Sequence, residues 1–268
     1  MSALSNTVAD SATMLRRDVR HSLRTPMMTF SGIGTPVIFL LLFVGVFGDA
    51  LGANFLPDGS GRYIDYVAPG IILMAAGTGT AFTAIKVNQD MQEGIISRFR
   101  TMDIARTSVL TGQVIGSLIR TVISVVAVVG IALALGFRPT ATPLEWVAAL
   151  AVFAMLTFAF TWLAVAFGLV TKTVAGANSL TLIPQFLPLI SSAFLPTGSM
   201  PAGVAWFAEH QPYTPIIETL RGLLMGTPIG GSAIRAVIWC VVISVVGYLW
   251  ARKLYNRPRV PGSSAKMM

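Results

Sequence analysis

The chain alternates between long apolar blocks and short polar segments. Six apolar blocks stand out, at residues 30–47, 67–85, 118–135, 146–170, 176–195 and 233–250. A helix needs about 20 mostly apolar residues to cross a hydrocarbon layer. The pattern therefore predicts an all-α integral membrane protein, with six transmembrane helices in one transmembrane domain over residues 1–268.

Composition supports this interpretation, because 54% of the residues are hydrophobic and only 11% are charged. Soluble domains carry about 25% charged residues. A chain with so few charges lacks the polar surface that a soluble protein needs, so the bilayer must serve as part of its solvent.

Lysine and arginine are unevenly divided between the polar segments. Fourteen lie before the first block, after the second and fourth blocks, or in the tail; Arg62, Arg138, Arg221 and Arg235, the last at the start of the sixth block, lie on the other side, and Arg120 lies within the third block. Cytoplasmic loops carry the excess of these residues. Both termini are therefore predicted to lie in the cytoplasm, with the chain in the plasma (inner) membrane. The wide spread of these charges argues against a nucleic-acid partner.

The segment before the first block has its own helical period. Arg16, Arg20 and Arg24 are four residues apart, beside an apolar stripe, and Pro26 would end the helix. Residues 1–29 are predicted to form an interfacial helix on the anionic inner leaflet. The alternative is a simple topology anchor.

Two blocks have compositions that predict their packing. Pro184 and Pro188 lie one turn apart in the fifth block, which predicts a kinked or broken helix whose backbone carbonyls are partly freed. Gly77 and Gly79 in the second block permit close contact with a neighbouring helix.

The segment between the fifth and sixth blocks is longer than a simple connector. Residues 196–230 are predicted to form an outer re-entrant segment with a short amphipathic helix that dips into the outer leaflet. Thr214 would cap this helix, Pro215 would follow in its first turn, and Gly226 would end it. Glu218 and Arg221 are three residues apart and could pair on its polar side.

The residue types needed for catalysis or metal binding are not grouped in this sequence. Its two histidines, His21 and His210, fall on opposite sides of the predicted membrane, and its one cysteine, Cys240, lies in an apolar block. We expect no enzyme activity, metal site or cofactor on this chain. Ion-driven transporters usually place ionisable groups near the membrane midplane. The only candidate here is Arg120, near the start of the third block, and its side chain could snorkel to the interface. Without an ion-coupling group in the spans, uphill transport would need energy from a partner.

The segment after the second block, residues 86–108, combines acidic, basic and apolar side chains within a short stretch. This composition favours docking against another protein. The alternative is a solvated loop.

Three stretches together resemble a known family. They are YIDYVAPGIILM at 63–74, EGIISRFRTMDIAR at 93–106, and FLPTGSMP with the later QPYTPIIETLRGLLMG between 194 and 226. The chain is similar to permeases of type-2 ABC exporters, in the daunorubicin-resistance-like drug-efflux branch. One departure is Asp103, where a proline would close the coupling helix, and it leaves the end of that helix open.

The resemblance implies a complex of two permease chains, expected to be identical, and two cytoplasmic ABC ATPase subunits that hold ATP and magnesium. Residues 94–99 would form the coupling helix that receives the motion of the ATPase. The coupling residues would be Glu93, Gly94, Arg98, Phe99 and Arg100.

The resemblance favours export of hydrophobic drugs or secondary metabolites. An endogenous lipid, glycolipid or cell-surface polymer is the alternative cargo, and a secondary transporter or membrane enzyme is the distant alternative. The spans offer apolar pockets with few polar groups, which suit a hydrophobic cargo. The predicted substrate pathway lies between the second and fifth spans, with Met74, Thr78, Phe82, Gln185, Phe186 and Ser192 as candidate lining residues.

Overall fold

A computed structural model describes residues 26–55, 62–93 and 106–256, and this part of the chain is helical, with no β-strand. The α-helices are α1 (Pro26–Gly45), α2 (Gly48–Phe55), α3 (Tyr63–Gln92), α4 (Arg106–Ala134), α5 (Pro143–Val170), α6 (Val174–Phe186), α7 (Ala202–His210), α8 (Tyr213–Met225) and α9 (Ser232–Asn256). Short 3₁₀ turns occupy Leu187–Ile190 and Thr197–Ser199. The all-α class is confirmed.

Four described segments are long and apolar enough to cross a membrane: Tyr63–Gln92, Val114–Ala134, Pro143–Val170 and Ser232–Tyr255. They correspond to the second, third, fourth and sixth predicted blocks. The first and fifth blocks correspond to shorter apolar segments, Ile33–Gly45 and Val174–Ile190. The positions of all six blocks are matched, whereas six complete spans remain a prediction.

Helix α3 forms the centre of the bundle. It contacts α1, α4, α5, α6 and α8, and 20 of its 30 residues are buried. By contrast, α9 packs mainly on α5 and α8. Apolar side chains on the outer faces of α1, α4, α5 and α9 are exposed, including Ile38, Val126, Leu144 and Ile234. In water such a surface would be unfavourable, so it fits contact with lipid or with another apolar chain.

Small residues allow the central helices to touch, as predicted for the second block. A Cβ added to Gly77 would lie 3.2 Å from both the Gln185 Cα and the Pro184 carbonyl oxygen, so α3 and α6 meet backbone to backbone there. Gly79 faces the side chain of Thr121 in α4. A Cβ added to Gly247 of α9 would lie 3.0 Å from the Trp162 carbonyl carbon, so α9 and α5 also meet backbone to backbone.

The predicted break in the fifth block is confirmed. The α-helix α6 gives way at Leu187 to a 3₁₀ turn, which is followed by an irregular segment over residues 191–195. Proline has no amide hydrogen, so Pro188 cannot bond to the carbonyl of Pro184 one turn earlier. The hydroxyl of Tyr213 donates to that carbonyl instead.

The predicted outer segment contains two short helices, α7 and α8, where the sequence pattern predicted one. Helix α8 ends at Gly226 as predicted, since this residue adopts a left-handed φ of 70°. Its start was predicted wrongly: the helix already includes Tyr213, and the Thr214 hydroxyl accepts the Ser192 N–H at 3.2 Å instead of capping. Its apolar face, which we expected to dip into lipid, is buried in the protein core at Ile216 and Ile217.

Other predicted boundaries also shift. Helix α3 continues through Gln92, so the described part of the coupling loop begins at Glu93 and not at residue 86. Pro26 lies at the start of α1, because a helix tolerates proline in its first turn, so residues 26–29 belong to that helix. Residues 1–25 of the predicted interfacial helix lie outside the described residues. Arg120 lies near the middle of α4 and not at the start of its helix.

Candidate functional site

The predicted coupling residues lie mostly outside the described part of the chain. Only Glu93 is described, as an exposed residue in the turn that follows α3. Gly94, Arg98, Phe99 and Arg100 lie outside the described residues, and their role stays a prediction. The structure does describe the helices on either side of this loop: α3 ends at Gln92 and α4 begins at Arg106.

Just before this turn, α3 is joined to the connection between α5 and α6. The Asn88 amide nitrogen donates to the carbonyl oxygens of Gly168, at 3.1 Å, and Thr171, at 2.8 Å. The Gln92 amide donates to the Asn88 side-chain oxygen at 2.7 Å and reaches the Lys172 carbonyl at 3.3 Å. The end of α3 is therefore held by polar contacts to a neighbouring turn.

The six candidate lining residues do not share one environment. Met74, Thr78 and Ser192 are buried, Phe82 and Gln185 are half-buried, and Phe186 is exposed. Met74, Thr78 and Phe82 are spaced four apart, so they form one stripe along α3. That stripe is covered at Met74 and becomes partly exposed at Phe82, towards the Gln92 end of the helix.

The predicted gap between the second and fifth spans is closed at its middle. The backbone of Pro184 and Gln185 fills the space beside Gly77. The carbonyl of Pro184, which lacks its helical partner, already accepts a hydrogen bond from the Tyr213 hydroxyl. Any space for cargo along these helices would have to lie beside this contact, where Phe82, Gln185 and Phe186 retain exposed surface.

At the opposite end of α3, the irregular segment after α6 is surrounded by side chains that satisfy its backbone. We call Tyr63, Tyr66, Ser192, Tyr213, Thr214 and Arg221 the Arg221 cluster. The Tyr63 hydroxyl donates to the Phe194 carbonyl at 2.9 Å, and the Gln211 amide donates to the Ile190 carbonyl at 2.8 Å. An irregular backbone is tolerated at membrane depth only when such partners are available.

Arg221 makes the most contacts in this cluster. Its guanidinium donates to the Ser192 carbonyl at 2.6 Å and to the Tyr66 carbonyl at 3.2 and 3.3 Å. It also lies 3.8 Å above the centre of the Tyr66 ring, a favourable cation–π distance. Arg221 thereby connects the start of α3, the irregular segment and α8.

The predicted Glu218–Arg221 pair is wrong. Glu218 accepts the Ser232 hydroxyl at 2.7 Å and lies 3.9 Å from the Arg235 guanidinium, so it joins α8 to α9. Arg221 points instead to backbone carbonyls. The spacing of three residues allowed a pair, but Arg221 donates instead to the Ser192 carbonyl of the irregular segment and to the Tyr66 carbonyl of α3.

Sequence reasoning missed three residues that hold this framework together: Tyr66, Asn88 and Tyr213. Their partners lie 29 to 155 residues away in the chain, so no local pattern indicates them. A local signal was overlooked at Thr142, whose hydroxyl and Glu145 form a capping box at the start of α5. The spacing TPLE carries this signal in the sequence itself.

Among the residues the structure describes, no group of three or more histidine, cysteine or acidic side chains could hold a metal ion.

The sequence profile of the ABC-2 type transporter family matches residues 11–225, which is most of the chain. The chain belongs to the ABC-2 type transporter family. The family assignment that the three sequence stretches predicted is therefore confirmed, and membership in this ABC family implies a partner ABC ATPase.

This ABC-2 chain is similar to several named permeases. It is 28% identical over 228 residues to the daunorubicin resistance ABC transporter permease protein DrrB1 of Streptomyces coeruleorubidus, covering 84% of this chain and 78% of the relative. It is 26% identical to the probable doxorubicin resistance ABC transporter permease protein DrrC of Mycobacterium tuberculosis, covering 90% and 88%. A putative transport permease, ycf38 of Porphyra purpurea, is 27% identical and covers 76% and 70%. The predicted resemblance to the daunorubicin-resistance branch is confirmed.

Proposed function

We propose that this chain is the membrane subunit of an ATP-driven exporter that moves hydrophobic drugs or secondary metabolites out of the cell. The observation that carries the proposal is the similarity, over 84% and 90% of the chain, to relatives named for daunorubicin and doxorubicin resistance. The chain supplies the route through the membrane, and the partner ATPase supplies the nucleotide site, with ATP and magnesium.

In this proposal the chain lies in the plasma membrane with both termini in the cytoplasm. The supporting observation is the distribution of lysine and arginine, with fourteen residues on the predicted cytoplasmic side and four on the other. The ATPase then docks on the loop that begins at Glu93. Asn88 and Gln92 lie at the base of this loop, and the Arg221 cluster lies at the outer end of α3.

Two copies of the chain form the working unit. One copy packs α3 tightly against α5 and α6, and it leaves extended apolar faces on α4 and α9 exposed. Such faces permit a second copy to enclose a route that one bundle of this size does not enclose alone. A homodimer is the simplest assembly that meets this need.

The cargo route follows the half-buried and exposed side chains near the cytoplasmic half of α3. Phe82 lies on the partly exposed part of the α3 stripe, while Gln185 and Phe186 retain exposure on α6. Two aromatic rings with one amide suit an amphipathic aromatic cargo, since pockets for such ligands are mostly apolar with few polar groups.

The test is transport by the purified complex of this chain and the ATPase that copurifies with it, reconstituted into lipid vesicles. We expect ATP-dependent movement of daunorubicin across the vesicle membrane and stimulation of ATP hydrolysis by daunorubicin. An ATPase variant without its catalytic carboxylate is the control, and it should move none.

The same vesicles distinguish the cargo classes. Fluorescent phospholipid and glycolipid analogues are tested beside daunorubicin and other hydrophobic compounds. ATP-dependent movement of the lipid analogues alone would reject drug export and support the alternative cargo. ATP-independent movement driven by an ion gradient would reject the ABC exporter mechanism.

A further inference from the structure

The end of α3 that carries the predicted coupling loop is fastened to α5 by one buried side chain. Asn88 is only 1% exposed. Its amide nitrogen donates to the carbonyl oxygens of Gly168 and Thr171 and lies 3.2 Å from the Thr171 hydroxyl oxygen. Its own side-chain oxygen accepts from Gln92, so the amide is satisfied on both sides.

These acceptors are the groups that a helix end leaves without partners. Helix α5 ends at Val170, and the last four carbonyls of a helix lack intrahelical donors. Gly168 carries one of these carbonyls, and a Cβ at Gly168 would lie 2.6 Å from the Ala84 carbonyl oxygen. The backbones of α3 and α5 therefore touch at this level. Asn88 acts as a C-terminal cap for α5 that a different helix provides.

The same contact reaches α6. Only residues 171–173 separate α5 from α6, and the Thr173 hydroxyl caps α6 by accepting the Gly176 N–H at 3.1 Å. With so short a connection, the start of α6 must follow any displacement of Thr171. Helix α6 also touches α3 directly, at Gly77. Three helices thus meet at the base of the coupling loop and are linked again near the middle of α3.

We propose that Asn88 is a positioning residue that makes the ends of α3, α5 and α6 move as one body when the partner ATPase displaces the coupling loop. Without this cap, the end of α3 loses its buried hydrogen bonds to the α5–α6 turn, so the turn would follow a displacement of the loop less closely. The displacement reaches the broken helix α6, which carries Gln185 and Phe186, through the Asn88 contact. This inference rests on the proposed exporter function.

The substitution Asn88→Asp tests the role of the donor: it keeps the size of the side chain, removes its N–H groups, and turns a carboxylate oxygen towards the carbonyl oxygens of Gly168 and Thr171. Thr80→Val is the matched control: Thr80 is 3% exposed on the same helix, and its hydroxyl bonds to Gly77 within that helix. A buried hydrogen bond to an orphaned carbonyl corresponds to about a tenfold change in an equilibrium.

In the reconstituted complex, Asn88→Asp should keep ATP hydrolysis and lose about tenfold in cargo exported per ATP hydrolysed. Thr80→Val should stay near the wild-type ratio. A purely structural role for Asn88 would lower the amount of folded complex and would leave this ratio unchanged. A wild-type ratio for Asn88→Asp would overturn the inference.

A distance measurement tests the contact without any cargo. Spin labels at Gln89 of α3 and at the exposed Lys172 of the α5–α6 turn, in a Cys240→Ser background, report the separation of α3 from that turn. We expect one narrow distance in the wild-type complex, unchanged when ATP is trapped with vanadate, and a broad distribution that shifts on trapping in Asn88→Asp. A narrow, unshifted distance in Asn88→Asp would refute the joint movement.

The distances are independent of the exporter function. If the wild-type complex exported nothing, the exporter function would be wrong, while these distances would still show whether Asn88 holds the helices together.

Discussion

Arg221 shows how a single side chain compensates for a helix that proline has broken. Its guanidinium satisfies the carbonyls of Ser192 and Tyr66, which lie on two different segments. Hydrogen bonds to a charged group contribute more than neutral ones, about 1.5–3 kcal/mol each. The Arg221 contacts therefore matter more for stability than a surface arginine does.

We predict that Arg221→Ala lowers the free energy of unfolding by about 3 kcal/mol, because buried carbonyls lose a charged donor. Arg235→Ala is the control, since 56% of that side chain is exposed and its contact with Glu218 is long. Exposed ion pairs contribute about 0–1 kcal/mol. Thermal unfolding in detergent, followed by tryptophan fluorescence, measures both variants. Equal losses would contradict the role given to Arg221.

A second prediction at the residue scale concerns cargo selection. Substituting Phe82, Gln185 and Phe186 one at a time by alanine should change the rank order of compounds that stimulate ATP hydrolysis, because each retains surface along the proposed route. Met74→Ala is the contrasting variant, since Met74 is 0% exposed and should affect stability instead. If the stimulation of ATP hydrolysis falls by the same factor for every compound in these three variants, those residues serve packing and the route lies elsewhere.

At the scale of helices, contact between α3 and α6 depends on the absence of a side chain at Gly77. We predict that Gly77→Val destabilises the protein by about 1–3 kcal/mol, as overpacked cores usually do. Its Cβ would lie 3.2 Å from backbone atoms of α6, which cannot rotate away.

Gly130→Val is the matched control, because Gly130 also lies within a membrane-crossing helix and nothing lies within 4 Å of an added Cβ. Both variants carry the same branched side chain, so intrinsic helix propensity cancels between them. Thermal unfolding in detergent is the measurement. A loss for Gly130→Val as large as that for Gly77→Val would show that propensity, not packing, decides the outcome.

The coupling loop provides another prediction at this scale. Glu93→Ala and Arg98→Ala should leave membrane insertion intact and separate ATP hydrolysis from export, because an interface charge that loses its partner costs about 2–5 kcal/mol. Cargo exported per ATP hydrolysed is the measurement, and Lys253→Ala, on the exposed end of α9, is the control. Normal export by both loop variants would indicate a solvated loop.

For the molecule as a whole, the charge distribution predicts which ends are accessible from the cytoplasm. Single cysteines at Ser11 and Ser263, in a Cys240→Ser background, should react with an impermeant maleimide only after the cells are opened. Native Cys240 is buried and should react slowly in either condition. Reaction of either introduced cysteine in intact cells would reverse the proposed topology.

The features predicted well from the sequence are those set by local physics. The six apolar blocks, the break at Pro184 and Pro188, the close approach at Gly77 and the helix stop at Gly226 each follow from a few neighbouring residues. The features predicted wrongly depend on distant partners. Arg221 leaves Glu218 for carbonyls of other segments, and the apolar face of α8 packs on the bundle because α3 and α5 are there to cover it.

The candidate site divides in the same way into local and distant features. Composition indicates a docking loop over residues 86–108, but it does not indicate that Asn88 joins α3 to the end of α5, because the acceptors of Asn88 lie 80 residues or more along the chain. The lining residues were chosen for their types and their helical spacing. Whether such residues are buried, as Met74 is, or exposed, as Phe186 is, depends on neighbouring helices that no local pattern identifies.

The irregular segment after α6 also has a consequence for how the ribosome delivers this chain to the membrane. The donors for Pro184, Ile190 and Ser192 belong to residues synthesised 21 to 29 positions later. Before α8 has been made, these carbonyls of α6 and of the segment after it lack these donors, so we expect α6 to stay beside the channel or against α3 until then. A nascent chain arrested before residue 211 should therefore remain bound to the insertion machinery, and one arrested beyond α9 should be released.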